Sequence, residues 1–317
     1  MSTPLLRPTA YMPSLWARRK ERSSAWLLWL MTWLSRICGR RATRGVLYMA
    51  TWYFLCTGGA ARRASRDYLA RVLGHKPKLR EIFAHFWSFS STVHDRIYLL
   101  GGRWDLFDVR IHNQALMDAA VARGAGAFLI GAHLGSFEVL RAAGRANAGL
   151  RVVMAMYEEN ARKLNAALAM VNVQAGEDIV PLGQPQSMMA ISEQLASGAV
   201  VGMLADRFLD EGNGHPRVFL GGVADWPDGP FRMAAVLRQP VLFMAGLYLG
   251  GNRYELRFEH LADFSEIQGA AEREAMIEQA MERYVYLLEQ NCRYAPYNWF
   301  NFFDFWRPDS DCPQPPP

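Results

Sequence analysis

The sequence predicts an α/β fold: a mostly parallel central sheet flanked by helices, with a helical module at the N-terminus. From Gly124 onward, short apolar runs alternate with amphipathic segments, as in parallel sheets covered by helices on both faces. Before Glu81 the chain is basic, rich in aromatic residues and lacks this alternation. We therefore divide the 317 residues into a helical module, 1–80, and a larger domain, 81–317.

The apolar runs and the helical periodicity give the individual elements of the larger domain. Strands are predicted over 127–131, 151–157, 178–182, 199–205 and 240–249. Residues 253–261 alternate between apolar and polar, which predicts a strand that pairs back as a hairpin or edge strand. Helices are predicted over 81–100, 136–147, 159–172, 186–197, 230–238 and 266–290.

Charge is distributed unevenly along the chain. Residues 1–80 contain 16 Lys and Arg against two acidic residues, a net charge of +14, whereas residues 81–317 carry a net charge of −9. A basic block of this kind binds either nucleic acid or an anionic membrane surface. No nucleic-acid-binding module is recognisable in the sequence, so we expect no nucleic-acid partner.

Two uncharged stretches, 23–35 and 45–61, lie between the arginines of the module. The first carries Trp26, Trp29 and Trp33 at helical spacing. Trp beside clustered Arg is typical of a membrane interface, although buried core helices are the alternative. A membrane-spanning helix needs about 20 apolar residues, so we expect interfacial or re-entrant helices with room for one shallow span.

The sharpest local pattern is IGAHLGSFE, residues 130–138. An apolar strand ends, glycines turn the chain, His133 is presented and a helix begins at Ser136, which is placed to cap it. A His at the carboxyl end of a parallel strand is placed to act as a general base. If the turn folds His133 back over the first helical turn, the carboxylate of Glu138 would orient the imidazole. The alternative is a packing His with an unrelated surface Glu.

GAHLGSFE resembles the His-x4-acid block of the lysophospholipid acyltransferase superfamily, in the form found in bacterial lipid A late acyltransferases. Three further segments extend the resemblance from about residue 80 to 307: GMLADRF (202–208), RVFLGGVADWPDGPFRMA (217–234) and PYNWFNFFDFWRP (296–308). The last is closest to acyltransferases of aryl-polyene pigment pathways. A basic, hydrophobic N-terminal segment is also usual in this family, so the fold implied is the glycerol-phosphate-acyltransferase type.

The resemblance implies an acyltransferase without cofactor or metal. His133 would deprotonate a hydroxyl or amine of a lipid or glycolipid acceptor, with Glu138 polarising the imidazole. The acyl donor would be acyl carrier protein, which the resemblance favours, or acyl-CoA. The module would bind anionic lipids at the cytoplasmic face of the bacterial inner membrane. Residues expected to bind substrate or shape its pocket are Gly135, Ser136, Arg141, Arg162, Asp206, Arg207, Gly221 and Gly222.

The chain departs from the family pattern after the strand at 151–157. Glu158 and Glu159 stand where lipid A enzymes usually carry an Arg, and Arg162 or Lys163 would have to substitute. We therefore expect an acceptor with less negative charge than a bis-phosphorylated lipid A precursor. Two other functions fit the same residues: a hydrolase in which water replaces the acceptor, and a catalytically silent membrane adaptor.

Overall fold

The computed structural model describes residues 25–124, 126–147, 150–157, 178–184, 186–207 and 214–306, without the side chains of residues 25–30, 36, 147 and 157. The described strands are β1 (Asp108–His112), β2 (Ala127–Gly131), β3 (Val152–Tyr157), β4 (Ile179–Leu182), β5 (Val200–Leu204), β6 (His215–Phe219), β7 (Gly222–Trp226), β8 (Pro240–Tyr248) and β9 (Arg253–Asp263). The described helices are α1 (Ala25–Thr57), α2 (Gly59–Leu73), α3 (Leu79–Leu100), α4 (Gln114–Ala122), α5 (Phe137–Asn147), α6 (Gln186–Ala196), α7 (Gly229–Val236) and α8 (Ala270–Tyr294), with a 3₁₀ turn at Trp104–Leu106.

Seven strands form the central sheet in the order β1-β9-β8-β2-β5-β3-β4, and β6 and β7 form a separate hairpin. Every neighbouring pair in the central sheet is parallel except β8 and β9. The predicted α/β class with a mostly parallel sheet is therefore confirmed, as is the hairpin formed by the alternating segment. The helix predicted over 159–172 lies outside the described residues. Strands β1, β6 and β7 were not predicted, because five-residue strands with charged residues give little periodic signal. Helix α4 was not predicted either.

Alternate residues of each strand point to opposite faces of the sheet, and two cores result. Phe128 and Ile130 of β2 pack with residues of α2, α7 and α8, whereas Leu129 packs on the other face with residues of α3, α4 and α5. Both faces of the sheet are therefore buried. This burial leaves the strand ends as the places where polar side chains gather.

The register between β2 and β5 determines which residues meet at the carboxyl edge of the sheet. Gly131 lies opposite Leu204, and the Ala205 N–H donates to the Gly131 carbonyl at 3.0 Å. The residues that follow the two strands therefore lie side by side. This places His133, two residues after β2, beside Asp206, two residues after β5.

Helix α1 kinks at Gly39, whose φ of 73° lies in the left-handed region. Its inward face buries four hydroxyl side chains, Thr32, Ser35, Thr43 and Thr51, beside Leu47 and Leu55. Just after the kink, the Arg40 guanidinium forms two hydrogen bonds with the buried Asp95 carboxylate, at 2.7 and 2.9 Å. The Tyr254 hydroxyl donates to the same carboxylate at 2.8 Å. The Arg40–Asp95 ion pair, with its hydrogen bond from Tyr254, joins α1 to α3 and to the sheet.

Helix α2 contributes Tyr68 and Leu69, both fully buried, to the core beneath the sheet. The proposed boundary near residue 80 thus divides the chain by composition, while packing crosses it. The outward face of α1 exposes Arg41 and a larger set of apolar side chains: Trp33, Ile37, Val46, Tyr48, Met49 and Tyr53. None of the helices in the described ranges combines the length and apolarity that a membrane span requires.

Candidate active site

The turn between β2 and α5 is held against β8 and against the closing segment of the chain, residues 296–306. The Gly135 N–H donates to the Asn298 carbonyl at 2.8 Å, and the Ser136 N–H donates to the Gly246 carbonyl at 2.7 Å. Gly135 has a φ of +70°, and a Cβ there would overlap the Gly246 carbonyl. Any larger residue would therefore combine backbone strain with a steric clash. Gly135, which is expected to bind substrate, allows this close approach.

His133 is hydrogen-bonded to Asp206 through both its ring and its backbone. Nδ1 lies 2.8 Å from Asp206 Oδ1, and the backbone N–H donates to Oδ2 at 3.0 Å. The Trp299 indole N–H also donates to Oδ2, at 3.0 Å. About a third of the His133 side chain remains exposed, whereas Asp206 is buried. The imidazole is thus fixed on one side and open to substrate on the other.

The electrostatics of this pair define its protonation state. Burial alone raises the pKa of Asp206, but the nearby His133, its hydrogen bonds and Arg207 overcome this and lower the pKa to about 2. The ionised carboxylate can only accept hydrogen bonds, so Nδ1 of His133 carries a proton. Desolvation and the positive charge of Arg207 lower the pKa of His133 below its ordinary value near 6.5, against the opposing effect of Asp206. At neutral pH, Nε2 is therefore unprotonated and able to accept a proton.

Glu138 has a different partner from the one that the sequence led us to expect. It is buried in the first turn of α5, where its carboxylate forms an ion pair with Arg96 of α3 at 2.8 Å. The Ser136 hydroxyl donates to the same carboxylate at 3.3 Å. The expectation that Glu138 itself orients the imidazole is therefore corrected: the strand register brings Asp206 to Nδ1 of His133, and the Glu138 side chain is engaged by Arg96.

Arg207 lies at the site, where its guanidinium donates to the Phe300 carbonyl at 3.0 Å. Arg141 is buried, and its guanidinium forms an ion pair with Asp178 at 3.0 Å. The same carboxylate accepts hydrogen bonds from two further arginines, Arg145 and Arg151. Arg141 is thus committed to an ion cluster at the start of β4. Its pairing with Asp178 gives no support to the expected contact with substrate.

The turn that contains Gly221 and Gly222 joins β6 to β7. Next to it, Phe219 packs edge-on against Trp299, with ring centroids 5.2 Å apart. The turn therefore shapes the aromatic layer behind Asp206. Arg162, Lys163, Glu158 and Glu159 lie outside the described residues, as does the helix that was to carry them.

Three residues of the site were not singled out from the sequence: Arg96, Asn298 and Trp299. The Asn298 side chain forms two hydrogen bonds with the Tyr248 backbone, at 2.7 and 3.0 Å. Its own carbonyl accepts from Gly135, and the next residue, Trp299, reaches Asp206. The density of aromatic residues at 296–308 was the only signal available for this segment. No group of His, Cys, Asp and Glu suited to a metal ion occurs in the described ranges.

Comparison with known proteins gives the family. The model of the bacterial lipid A biosynthesis acyltransferase family matches residues 13–308. The crystal structure of the 1-acyl-sn-glycerophosphate (LPA) acyltransferase PlsC from Thermotoga maritima is similar at 17% identity, covering 79% of this chain and 98% of that one with a TM-score of 0.37. No curated protein sequence matches the chain. Because the family match spans almost the whole sequence, this protein belongs to the bacterial lipid A biosynthesis acyltransferases and is an acyltransferase.

Proposed function

We propose that the protein transfers a fatty acyl group from an acyl thioester to a hydroxyl or amine of a membrane lipid or glycolipid, with His133 as the general base. The observation that carries the proposal is the His133–Asp206 pair at the carboxyl edge of the sheet. A partly exposed imidazole backed by a buried carboxylate is the arrangement that general-base catalysis needs. Family membership supplies the reaction class.

The step involves only one proton transfer in each direction. Nε2 of His133 takes the proton of the acceptor hydroxyl or amine as its oxygen or nitrogen attacks the thioester carbonyl. The tetrahedral intermediate then collapses, the C–S bond breaks and the leaving thiolate receives the proton from Nε2. Asp206 keeps Nδ1 protonated and stabilises the imidazolium that forms in between. The products are the acylated lipid and a free thiol.

Glu138 remains part of the proposed machinery, acting through Arg96. The positive charge of Arg96 is one of the influences that lower the pKa of His133. The Glu138 carboxylate, 2.8 Å from the Arg96 guanidinium, offsets that charge. We propose that the pair keeps His133 basic enough to accept a proton.

The developing oxyanion needs hydrogen-bond donors. The N–H groups of Gly135 and Ser136 are already bound to carbonyls of Asn298 and Gly246. The first turn of α5 follows directly, and the first N–H groups of a helix have no partner within the helix and carry a partial positive charge. We propose that this turn provides the oxyanion donors.

The donor that fits the surface best is acyl carrier protein, which is acidic. Basic residues are exposed along α2, the loop after it and the start of α3: Arg63, Arg66, Lys76, Lys78 and Arg80. A groove of about 580 Å³ runs between several of them. Such a surface would attract an acidic partner and orient it by charge. Acyl-CoA is the alternative donor.

We propose an acceptor with less negative charge than a bis-phosphorylated lipid. A phosphate site normally presents several Arg or Lys side chains with free donors. The arginines whose charges act on His133 are Arg96 and Arg207. The first is paired with Glu138, and the second donates to a backbone carbonyl. The carboxylates of Asp206 and Glu138 would also repel a phosphate.

These assignments are tested together by supplying purified enzyme with alternative donors and acceptors. We expect palmitoyl-acyl carrier protein to support faster transfer than palmitoyl-CoA. We also expect hydroxylated or amino-containing glycolipids to be acylated at least tenfold faster than a bis-phosphorylated lipid A precursor. Omitting the acceptor measures hydrolysis, which should be slow. Efficient acylation of the bis-phosphorylated precursor, lost in Arg207→Ala, would overturn the proposed acceptor class.

We further propose that α1 rests on an anionic membrane, at the cytoplasmic face of the bacterial inner membrane. Its exposed side is apolar and aromatic, while the side facing α3 holds buried threonines and an ion pair. A helix that faces water on this side would expose mainly polar and charged residues. The side chains of Trp26 and Trp29 lie outside the described set, so the proposal rests on the residues from Trp33 to Tyr53.

Negative charges introduced on the apolar face of α1 should weaken the binding of the protein to lipid. We expect the double variant Met49→Asp, Tyr53→Asp to bind phosphatidylglycerol vesicles at least tenfold more weakly than wild type, since each side chain is worth on the order of 1.5–3 kcal/mol when fully buried. High salt should release wild type only in part, because it screens charges and leaves apolar contacts intact. The matched control is Tyr286→Asp, at an aromatic residue of α8 that is also more than half exposed. Complete release by salt alone would contradict apolar insertion.

A further inference from the structure

We propose that Trp299 is a positioning residue: its indole N–H holds the Asp206 carboxylate in the orientation that accepts the hydrogen bond from Nδ1 of His133. The inference rests on the proposed role of His133 as the base. It assigns a task to the closing aromatic segment, which lies 93 residues beyond Asp206 in the chain.

The two oxygens of Asp206 have separate tasks. Oδ1 faces the imidazole, 2.8 Å from Nδ1. Oδ2 accepts two N–H groups, one from the His133 backbone and one from the Trp299 indole, each at 3.0 Å. A carboxylate can rotate about its last bond, and the two donors on Oδ2 prevent this. Of the two, only the indole belongs to a residue other than the base.

Trp299 is itself held firmly. The side chain is fully buried, and its ring packs edge-on against Tyr68 and Phe305, with centroids 5.1 and 4.8 Å away. Its backbone carbonyl lies 2.8 Å from Nε2 of His85, whose Nδ1 lies 2.8 Å from the Ser65 hydroxyl. Burial lowers the pKa of His85 to about 4, so this ring is neutral at pH 7. Because a carbonyl only accepts, Nε2 of His85 donates and Nδ1 accepts from Ser65.

The same segment also fixes the backbone of the base. The Phe300 N–H donates to the His133 carbonyl at 2.8 Å, and Leu134 forms an isolated bridge with Trp299. The closing segment therefore contacts both members of the pair: His133 through its backbone and Asp206 through the indole. A Trp donor suits this task because the indole N–H can only donate and cannot reorient as a hydroxyl does.

Trp299→Phe removes the donor and keeps an aromatic ring. Once Oδ2 loses the hydrogen bond from the indole N–H, more of the negative charge of Asp206 acts on the imidazole, and the imidazolium becomes more stable. The rate of transfer falls with decreasing pH as His133 becomes protonated, and this fall is the acid limb of the pH–rate profile. A higher pKa of His133 moves the acid limb to higher pH. We expect a shift of about half a pH unit or more, with kcat about tenfold lower at the optimum and KM unchanged.

Two tryptophans of the same cluster are matched controls. The Trp306 indole N–H donates to the Phe219 carbonyl at 2.9 Å, so Trp306→Phe loses an indole hydrogen bond that does not involve Asp206. Trp226 is fully buried and packs edge-on against Phe219. Trp226→Phe therefore tests the loss of aromatic volume alone. Both controls should keep the wild-type acid limb.

A second variant keeps the test valid if Trp299→Phe folds poorly. β-(3-benzothienyl)-L-alanine has the shape of Trp with sulfur in place of the N–H, and its incorporation at position 299 should give the same shift. The position of the limb does not depend on how much of the enzyme is folded. An acid limb and a kcat that both stay at the wild-type values in this variant overturn the inference. Full transfer activity in His133→Ala would instead remove the proposed function on which it rests.

Discussion

Replacing His133 by Ala is expected to reduce acyl transfer by about 10²–10⁴-fold, the usual contribution of a positioned general base. The open side of the imidazole is the only part of the His133–Asp206 pair that an acceptor would reach, because Asp206 is buried. Its loss leaves the acceptor hydroxyl or amine without a group to take its proton. The measurement is the initial rate with saturating thioester donor and a fixed acceptor.

His112→Ala is the matched control, since His112 is exposed on β1 and belongs to no part of the proposed machinery. It should transfer at the wild-type rate. Circular dichroism and the Tm establish that both variants are folded. A folded His133→Ala enzyme that keeps more than a tenth of the wild-type rate would exclude His133 as the base.

The fold was predictable where the signal is local. An apolar run followed by glycines and an amphipathic helix predicts β2, its turn and α5, and residues 127–131 form that strand. His133 could be placed at the strand end for the same reason. Its partner could not, because a periodic pattern does not reveal which strands are neighbours. The pairing with Asp206 follows from the register of β2 with β5, in which Gly131 meets Leu204.

The rest of the site depends on packing between distant parts of the chain. Trp299 reaches Asp206 only because α8 ends where the closing segment can return to the turn after β2, and no short-range rule encodes that path. Arg96 appeared in sequence as one more charge on an amphipathic helix, yet it pairs with Glu138. Spacing within the His-x4-Glu block suggested a local partner for His133, and the sheet supplied a non-local one.

The second large effect is expected at Asp206. Asp206→Asn should lower transfer by at least a hundredfold, since the amide can donate to Nδ1 and stabilise the tautomer in which Nε2 carries the proton. That tautomer cannot accept a proton from the acceptor. The substitution also removes the negative charge that stabilises the imidazolium. The change in shape is small, so the variant should fold, and its rate is measured beside that of His133→Ala.

Glu138→Gln separates the two carboxylates of the site. It removes the charge that offsets Arg96, and the uncompensated guanidinium should lower the pKa of His133 further, because Arg96 already acts in that direction. The acid limb of the rate profile should then move to lower pH, and the rate at neutral pH should fall about tenfold as the base weakens. Asp206→Asn should lose far more than this. A Glu138→Gln enzyme that is as impaired as Asp206→Asn, with no change in the acid limb, would return the orienting role to Glu138. That result would require the imidazole to leave Asp206 when substrate binds.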